Sequence, residues 1–286
     1  ISGDAGLRKT GNGTLELTGN LTYTGETWVQ NGTLKIKGKS YNSGFRSSGG
    51  GSTLSLQRNA LVKSVINEGS NVEIAGEGVT ISEDYKATTD SKTIFNLGAD
   101  LHVKGKTELD GSKVELTSLK DGEAQYITAK GTETEIIKSD SGISGSFSEV
   151  KTSEMLEGKV ETNEDDGKVT ATLSRKNVEE YAAGLELSDS MTMDVAENTE
   201  ATFKALDAEI EKGNLADVKR FASAAGQLQV MALSKDELDK LSGHIYGSAQ
   251  ALTFQHSQTI NKDLSNRLVM LGTLDNVGDN AGLWIT

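Results

Sequence analysis

GLRKTGNGTLELTGNLTYTGETWVQNGTLKIKG, residues Gly6 to Gly38, contains one phrase twice. Gly13-Thr14-Leu15-Glu16-Leu17 returns as Gly32-Thr33-Leu34-Lys35-Ile36, which sets Leu15 and Leu34 19 residues apart. Each phrase alternates apolar and polar side chains, the two-residue period of a strand with one face in a core. Gly11-Asn12-Gly13, Gly19-Asn20, Thr24-Gly25 and Asn31-Gly32 supply turn residues that accept a positive φ and divide the segment into short strands. Such a stretch reads as one full turn of a repeating structure.

Working outward, similar apolar pairs recur at Leu54/Leu56, Val72/Ile74, Ile94/Phe95, Val114/Leu116 and Ile136/Ile137, and the steps from Leu15 onward are 19, 20, 18, 22, 20 and 22 residues. A drifting period near twenty predicts a β-solenoid whose corner loops vary in length. Additional short strands are expected at Trp28-Val29, Val65-Ile66, Val79-Thr80-Ile81, Leu101-His102-Val103 and Tyr126-Ile127, about three per coil, for a three-sided cross-section. Leu15, Leu17, Leu34, Ile36, Leu54 and Leu56 are the expected core, structural and not catalytic. One coil cannot bury enough apolar surface to order itself, so folding spreads from coil to coil, and the last coil needs a cap over its unpaired edge.

Composition agrees with many thin layers. The 286 residues are 35% hydrophobic and only 5% aromatic, with 32 Gly and no Pro. A residue without an N–H breaks the ladder between coils, which gives the absence of Pro a reason. With no Cys, disulfides and thiolate metal sites are excluded. A net charge of −13 and the lack of a basic stripe argue against nucleic acid as a partner. The chain has no apolar run of the length a membrane helix needs and no signal-peptide pattern at Ile1-Ser2-Gly3-Asp4. Since it opens directly on a repeat without Met, it is expected to be a piece of a longer protein.

Val160-Glu161-Thr162 and Lys168 to Leu173 flank Asn163-Glu164-Asp165-Asp166-Gly167 as an acidic hairpin. The spaced ligands and closing Glu of an EF-hand are missing, so a plain turn is the expectation and no metal or other cofactor is assigned. Asn-x-Thr sequons at Asn12, Asn20 and Asn31 follow from turn composition. His102 alternates within a strand, while His244 and His256 lie 12 residues apart with no Cys or paired carboxylate beside them. No catalytic residue is assigned.

After Leu187 the period changes from two to three or four. Helices are expected over Ala201 to Glu211, ending at Gly213, and over Leu215 to Ala225, with Asn214 as N-cap and Gly226 beyond the end. Ser234-Lys235-Asp236-Glu237 is a capping box. An apolar stripe then runs from Leu238 through Leu241, Ile245, Leu252, Ile260 and Leu264 to Leu271, a helix of about 55 Å. Its other face is small and polar. Periodicity leaves two readings: a helix along the solenoid or a partner, or a segment threaded through a water-filled tube.

LSGHIYGSAQALTFQHSQTINKDLSNRL, Leu241 to Leu268, resembles the linker of autotransporters, the type V secretion proteins, whose helix sits inside the outer-membrane barrel pore. Gly282-Leu283-Trp284-Ile285 then looks like the first barrel strand. The opening Leu-Thr-Gly…Thr-Tyr-Thr-Gly…Thr phrase resembles the passenger-associated transport repeat of the same family. This resemblance implies a mainly β fold: a right-handed β-solenoid, or β-helix, passenger stem over 1–187, a helical junction over 188–233, one long α-helical linker over 234–272, and the start of a truncated outer-membrane barrel over 273–286. It implies a non-catalytic stem and linker that support secretion across the outer membrane and display an N-terminal effector. Expected partners are the C-terminal barrel and N-terminal effector domain of the same polypeptide and the barrel-assembly machinery. The expected location is the outer membrane, the cell surface or the medium of a Gram-negative bacterium.

Asp4-Ala5-Gly6-Leu7 before such a repeat resembles the segment that succeeds a subtilisin-like serine protease domain in that family, so the parent is expected to be a serine protease active in virulence. The Gly-Thr-Ser-x-Ala context of a subtilisin-type nucleophile is absent here. Two rivals predict other surfaces. An adhesin would show an exposed aromatic row, for which Tyr23, Trp28 and Tyr41 are the material, and a polysaccharide-active enzyme would gather Glu73, Asp84, Asp110 and Glu115 on one face.

Overall fold

The computed structural model describes residues 1–185, 190–231 and 262. Contacts divide the chain into Ile1–Ser234 and Lys235–Thr286, and almost all described residues lie in the first unit. Apart from residue 262, the expected linker helix over 234–272 with its capping box falls outside the described residues, as do the barrel strand at Gly282–Ile285, His244 and His256.

Three sheets run the length of the solenoid, and successive coils add one strand to each. The first contains β1 (Leu7–Lys9), β4 (Thr27–Val29), β7 (Phe45–Ser48), β10 (Val65–Glu68), β13 (Tyr85–Ala87), β16 (Thr107–Glu108) and β21 (Ile143–Ser144). The second contains β2 (Thr14–Leu17), β5 (Gly32–Ile36), β8 (Ser52–Leu56), β11 (Asn71–Ile74), β14 (Lys92–Phe95), β17 (Lys113–Leu116) and β22 (Glu149–Lys151). In the third lie β3 (Asn20–Leu21), β6 (Lys39–Ser40), β9 (Leu61–Val62), β12 (Val79–Ile81), β15 (Leu101–Val103) and β20 (Thr132–Ser139), followed by β24 (Lys168–Arg175) and β23 (Leu156–Asn163). β18 (Leu119–Lys120) and β19 (Glu123–Ala124) form a separate small hairpin.

Coil pairs with coil in parallel, so the inward side chains form columns. Leu15 faces Leu34, Leu34 faces Leu54, and Leu54 faces Val72. Leu34, Ile36, Leu54 and Leu56 are fully buried and Leu17 nearly so, whereas Leu15 is half-buried. Apolar burial supplies the driving force, and the ladder between coils satisfies the backbone polar groups that burial would otherwise leave unpaired.

Beyond Val72 the register departs from the one expected. Val72 faces Thr93, one residue before Ile94, and Thr93 faces Val114. Thr93 is buried and Ile94 turns half-outward. An inward hydroxyl is tolerated there because Thr93 Oγ1 meets Tyr85 Oη at 2.6 Å. Desolvation of Tyr85 pushes its phenol up to about 12, so it stays neutral inside the coil. Ile136 belongs to the third sheet, not the second: its neighbour Ile137 faces Leu101, and the partner of Val114 is Val150, on the far side of an insertion. Tyr126-Ile127, expected as a strand, is not one.

The parallel coil stops where β23 and β24 fold back antiparallel on β20, with Thr132 opposite Leu173 and Val160 opposite Ala171. Beyond the hairpin come α1 (Val178–Gly184), α2 (Ser190–Glu211) and α3 (Leu215–Val230), so both expected helices exist and are longer than periodicity indicated. Gly213, at φ 87°, ends α2 as expected. Asn214 precedes α3 without a side-chain cap; its Nδ2 donates to Glu209 Oε2 at 2.8 Å. Gly226 is not a stop signal either. It sits inside α3, where a Cβ would press on the backbone of Gln125 and Tyr126.

At the corners the coils touch backbone to backbone. A Cβ on Gly38 would overlap the carbonyl of Gly19, and one on Gly25 would overlap Gly6. Gly38→Ala is therefore expected to cost about 1–3 kcal/mol, while Gly50→Ala, with nothing within 4 Å, changes little. Urea unfolding of the two variants checks this, and equal midpoints would remove close corner packing as the reason for Gly38.

Candidate functional site: the opening repeat and the helical cap

The opening repeat builds the first two coils, and its polar residues serve the corners. Lys9, only 6% exposed, donates through Nζ to the carbonyls of Thr10, Gly11 and Asn31 at 3.1, 2.7 and 2.9 Å. Asn31 Nδ2 donates to Asn12 Oδ1 at 2.9 Å, a one-step amide ladder between coils. Inside, Tyr23 Oη meets Thr27 Oγ1 at 2.5 Å, and Ser43 Oγ donates to the Gly25 carbonyl at 2.7 Å. On the outer face Trp28 lies between the Arg8 and Arg46 guanidinium groups, 5.7 and 5.5 Å from the ring centre, a cation–π stack across three coils.

The residues singled out for other chemistries do not converge. Tyr23 is buried, Trp28 is sandwiched and Tyr41 alone is well exposed, so these three form no aromatic row. Glu73 and Glu115 both face out from the second sheet, each opposite Ile94 on a different neighbouring coil. Glu73 accepts from Ser55 Oγ at 2.6 Å and Glu115 pairs with Lys92 at 2.5 Å. Asp84 accepts from the Lys106 amide at 2.8 Å, and Asp110 lies 3.7 Å from Lys86. His102 has a partner the sequence hid: its Nε2 lies 2.9 Å from Asp140 Oδ1, 38 residues on and one coil away. That bond holds the Asp140 carboxyl below its usual range. The acidic hairpin closes as a turn in which Asn163 Nδ2 donates to Asp166 Oδ2 at 2.7 Å and Asp166 N to Asn163 Oδ1 at 3.1 Å. Among the described residues no three His, Cys, Asp or Glu side chains are grouped to hold a metal ion.

The densest polar cluster joins the hairpin to α2. Arg175, at the end of β24, has a side chain only 1% exposed; Nη1 and Nη2 donate to the two oxygens of Glu200 at 2.8 and 3.0 Å. Nε and Nη2 donate to Asp207 Oδ2 at 3.0 and 2.8 Å. The carboxylates find further donors: Val178 N–H to Glu200 at 2.9 Å, and Tyr126 Oη to Asp207 Oδ1 at 2.8 Å. Phe203, one helical turn before Asp207, meets the Tyr126 ring edge-on at 5.4 Å and the Arg175 guanidinium at 5.5 Å. Burial opposes charge on both partners, yet the bonds to Arg175 and Val178 hold Glu200 below its ordinary range and the carboxylates hold Arg175 above its own. No spacing rule links Arg175 to Glu200 and Asp207; their charges were visible in the sequence, their burial was not.

A second staple joins α3 to the inserted segment. Gln229, fully buried, accepts from Ile127 N–H and donates to the Ile127 carbonyl, both at 2.8 Å. One side-chain amide thereby does for Ile127 what a neighbouring strand would do. Ser153 Oγ adds a bond to the Gln229 carbonyl at 3.0 Å.

The described residues thus form a parallel solenoid of three sheets, followed at the C-terminal end of the third sheet by an antiparallel hairpin and then by helices. Residues 7–36 match the family described as the passenger-associated transport repeat. Two similar proteins, each an extracellular serine protease of Serratia marcescens, are 63% and 55% identical over 38 residues, 13% of this chain and 4% of each relative. The chain thus matches only a small part of those longer proteins. The repeat, these relatives and the solenoid together support an autotransporter passenger stem.

Arg175→Leu strands two buried carboxylates and is expected to destabilise the unit by about 3–5 kcal/mol, read as a lower urea midpoint; an unchanged midpoint would mean the cluster holds nothing. A second expectation concerns pH. Because Glu200 is depressed in the folded chain, its contribution is fully present above the unfolded value of about 4.3 and is lost as pH falls through the folded one. Urea midpoints between neutral pH and about pH 3 should therefore fall more steeply for the native chain than for Glu200→Gln.

Proposed function

We propose that this chain is the non-catalytic C-terminal stem and linker of an autotransporter passenger, supporting secretion across the outer membrane and display of an N-terminal effector, a serine protease in the parent. The proposed division is stem over 1–187, junction over 188–233, linker over 234–272 and first barrel residues over 273–286. The same polypeptide would supply barrel and effector, the barrel-assembly machinery would insert the barrel, and the stem would stand at the outer membrane and cell surface or be released. The observation that carries the reading is the transport repeat folded as the first two coils of a solenoid.

The mechanism is mechanical. A chain without Cys passes a narrow pore with no closed loop to jam it. Coils nearest the membrane fold first, and each further coil finds a template edge already in place. One feature fits that order: at the C-terminal end of the third sheet β24 and β23 continue antiparallel from β20.

Amide hydrogen exchange on the full chain tests the order. Protection should rise from residues 1–40 to residues 132–175. If the opening coils are instead the last to exchange, folding does not spread from the C-terminal end and the secretion mechanism falls.

A further inference from the structure

Two Asn-Gly pairs occur in the chain, Asn12-Gly13 and Asn31-Gly32, at stacked corners of the first two coils with their side chains bonded to each other. The pairs share a sequence and differ in what surrounds the reacting atoms. At Asn31, the Gly32 N–H is shared between the Gly51 carbonyl at 2.9 Å and Asn31 Oδ1 at 3.0 Å, and a Cβ on Gly32 would overlap the backbone of Gly11 to Gly13, so the nitrogen is held in two hydrogen bonds and its main chain is pinned against the coil below. At Asn12, both residues are exposed and the Gly13 N–H, which the register would direct to the following coil, has no hydrogen-bond partner among the described residues.

We propose that Asn12 is a site of spontaneous deamidation and that Asn31 is protected from the same reaction by the coil stack. The Gly13 nitrogen loses its proton to solvent base and attacks the Asn12 side-chain carbonyl carbon. A C–N bond forms, the C–N bond to the amide nitrogen breaks, and ammonia leaves with a proton from water. Water then opens the five-membered imide at either carbonyl, giving aspartate or isoaspartate with no redox change. Glycine at the next position removes the side chain that would hinder ring closure. For Asn31 the same attack requires the Gly32 N–H bond to break and the corner to lift off its neighbour, a local opening with its own free-energy cost. Conversion of Asn12 adds a negative charge. In the isoaspartyl form it also lengthens the main chain beside the Gly11 carbonyl that holds Lys9 and the Gly13 carbonyl that accepts from Thr33 N–H.

The full chain, incubated at mildly alkaline pH and body temperature, is sampled over weeks and the peptides containing Asn12 and Asn31 are followed by mass spectrometry, with isoaspartyl methylation as the second readout. In the native chain Asn12 should convert at least about tenfold faster than Asn31, and in concentrated urea the two rates should converge. Gly13→Ala, whose Cβ meets nothing within 4 Å, should slow conversion at Asn12 while leaving the urea midpoint near its native value. Equal rates in the native chain, faster conversion at Asn31, or conversion at Asn12 only after unfolding would each overturn the proposal.

Discussion

Backbone resting directly on backbone at the coil corners is the constraint on which the rest of this structure depends. Strands stack about 4.8 Å apart, and at that spacing a corner has no room for a side chain between one coil and the next. Gly25 over Gly6, Gly32 over Gly11 to Gly13 and Gly38 over Gly19 meet that limit in the opening repeat. Once the corners are fixed, each strand lies over its counterpart, and the inward side chains must form columns of like size and polarity. Leucine over leucine, and threonine where a tyrosine hydroxyl waits, are consequences of that geometry.

A stack of this kind has two different ends. At the C-terminal end the parallel pattern is broken, first by a hairpin that runs antiparallel to the coil below and then by helices whose attachment uses side chains in place of strands. Gln229 is the smallest example, a carboxamide carrying the donor and acceptor of a peptide group on a helix that could not otherwise pair with an extended segment. Arg175 is the costliest, since three charges leave water to make the contact. Their burial is tolerated because nearly every lone pair and N–H in the group has a partner.

Much of the fold was legible in the sequence, because a repeat announces itself by spacing. The phrase at Gly13 and Gly32, the strand at Trp28-Val29 and the core at Leu34 to Leu56 are where alternation places them. The reading failed where a polar residue took an inward place, as at Thr93, or where an insertion broke the period, as between Val114 and Val150. Tyr126-Ile127 has the composition of a strand, but Gln229 took the partner's role from more than a hundred residues away. The cluster at Arg175 was invisible for the same reason. Periodicity reports local neighbours, and this contact joins a strand end to two positions on a later helix.

The outer faces carry their charge in a particular way. Arg46 bridges Glu26 one coil below and Glu68 one coil above, and Lys86 reaches Glu108 on the next coil, so cations are engaged along the axis in contacts between coils. Each such pair is worth little energy at an exposed site, but together they occupy positive groups that could otherwise reach sideways. Over the whole chain carboxylates still outnumber Lys and Arg, 42 to 29, which leaves the net charge of −13. Two of these rods laid flank to flank would therefore repel, and a crowded layer of them would hold itself apart as a brush does.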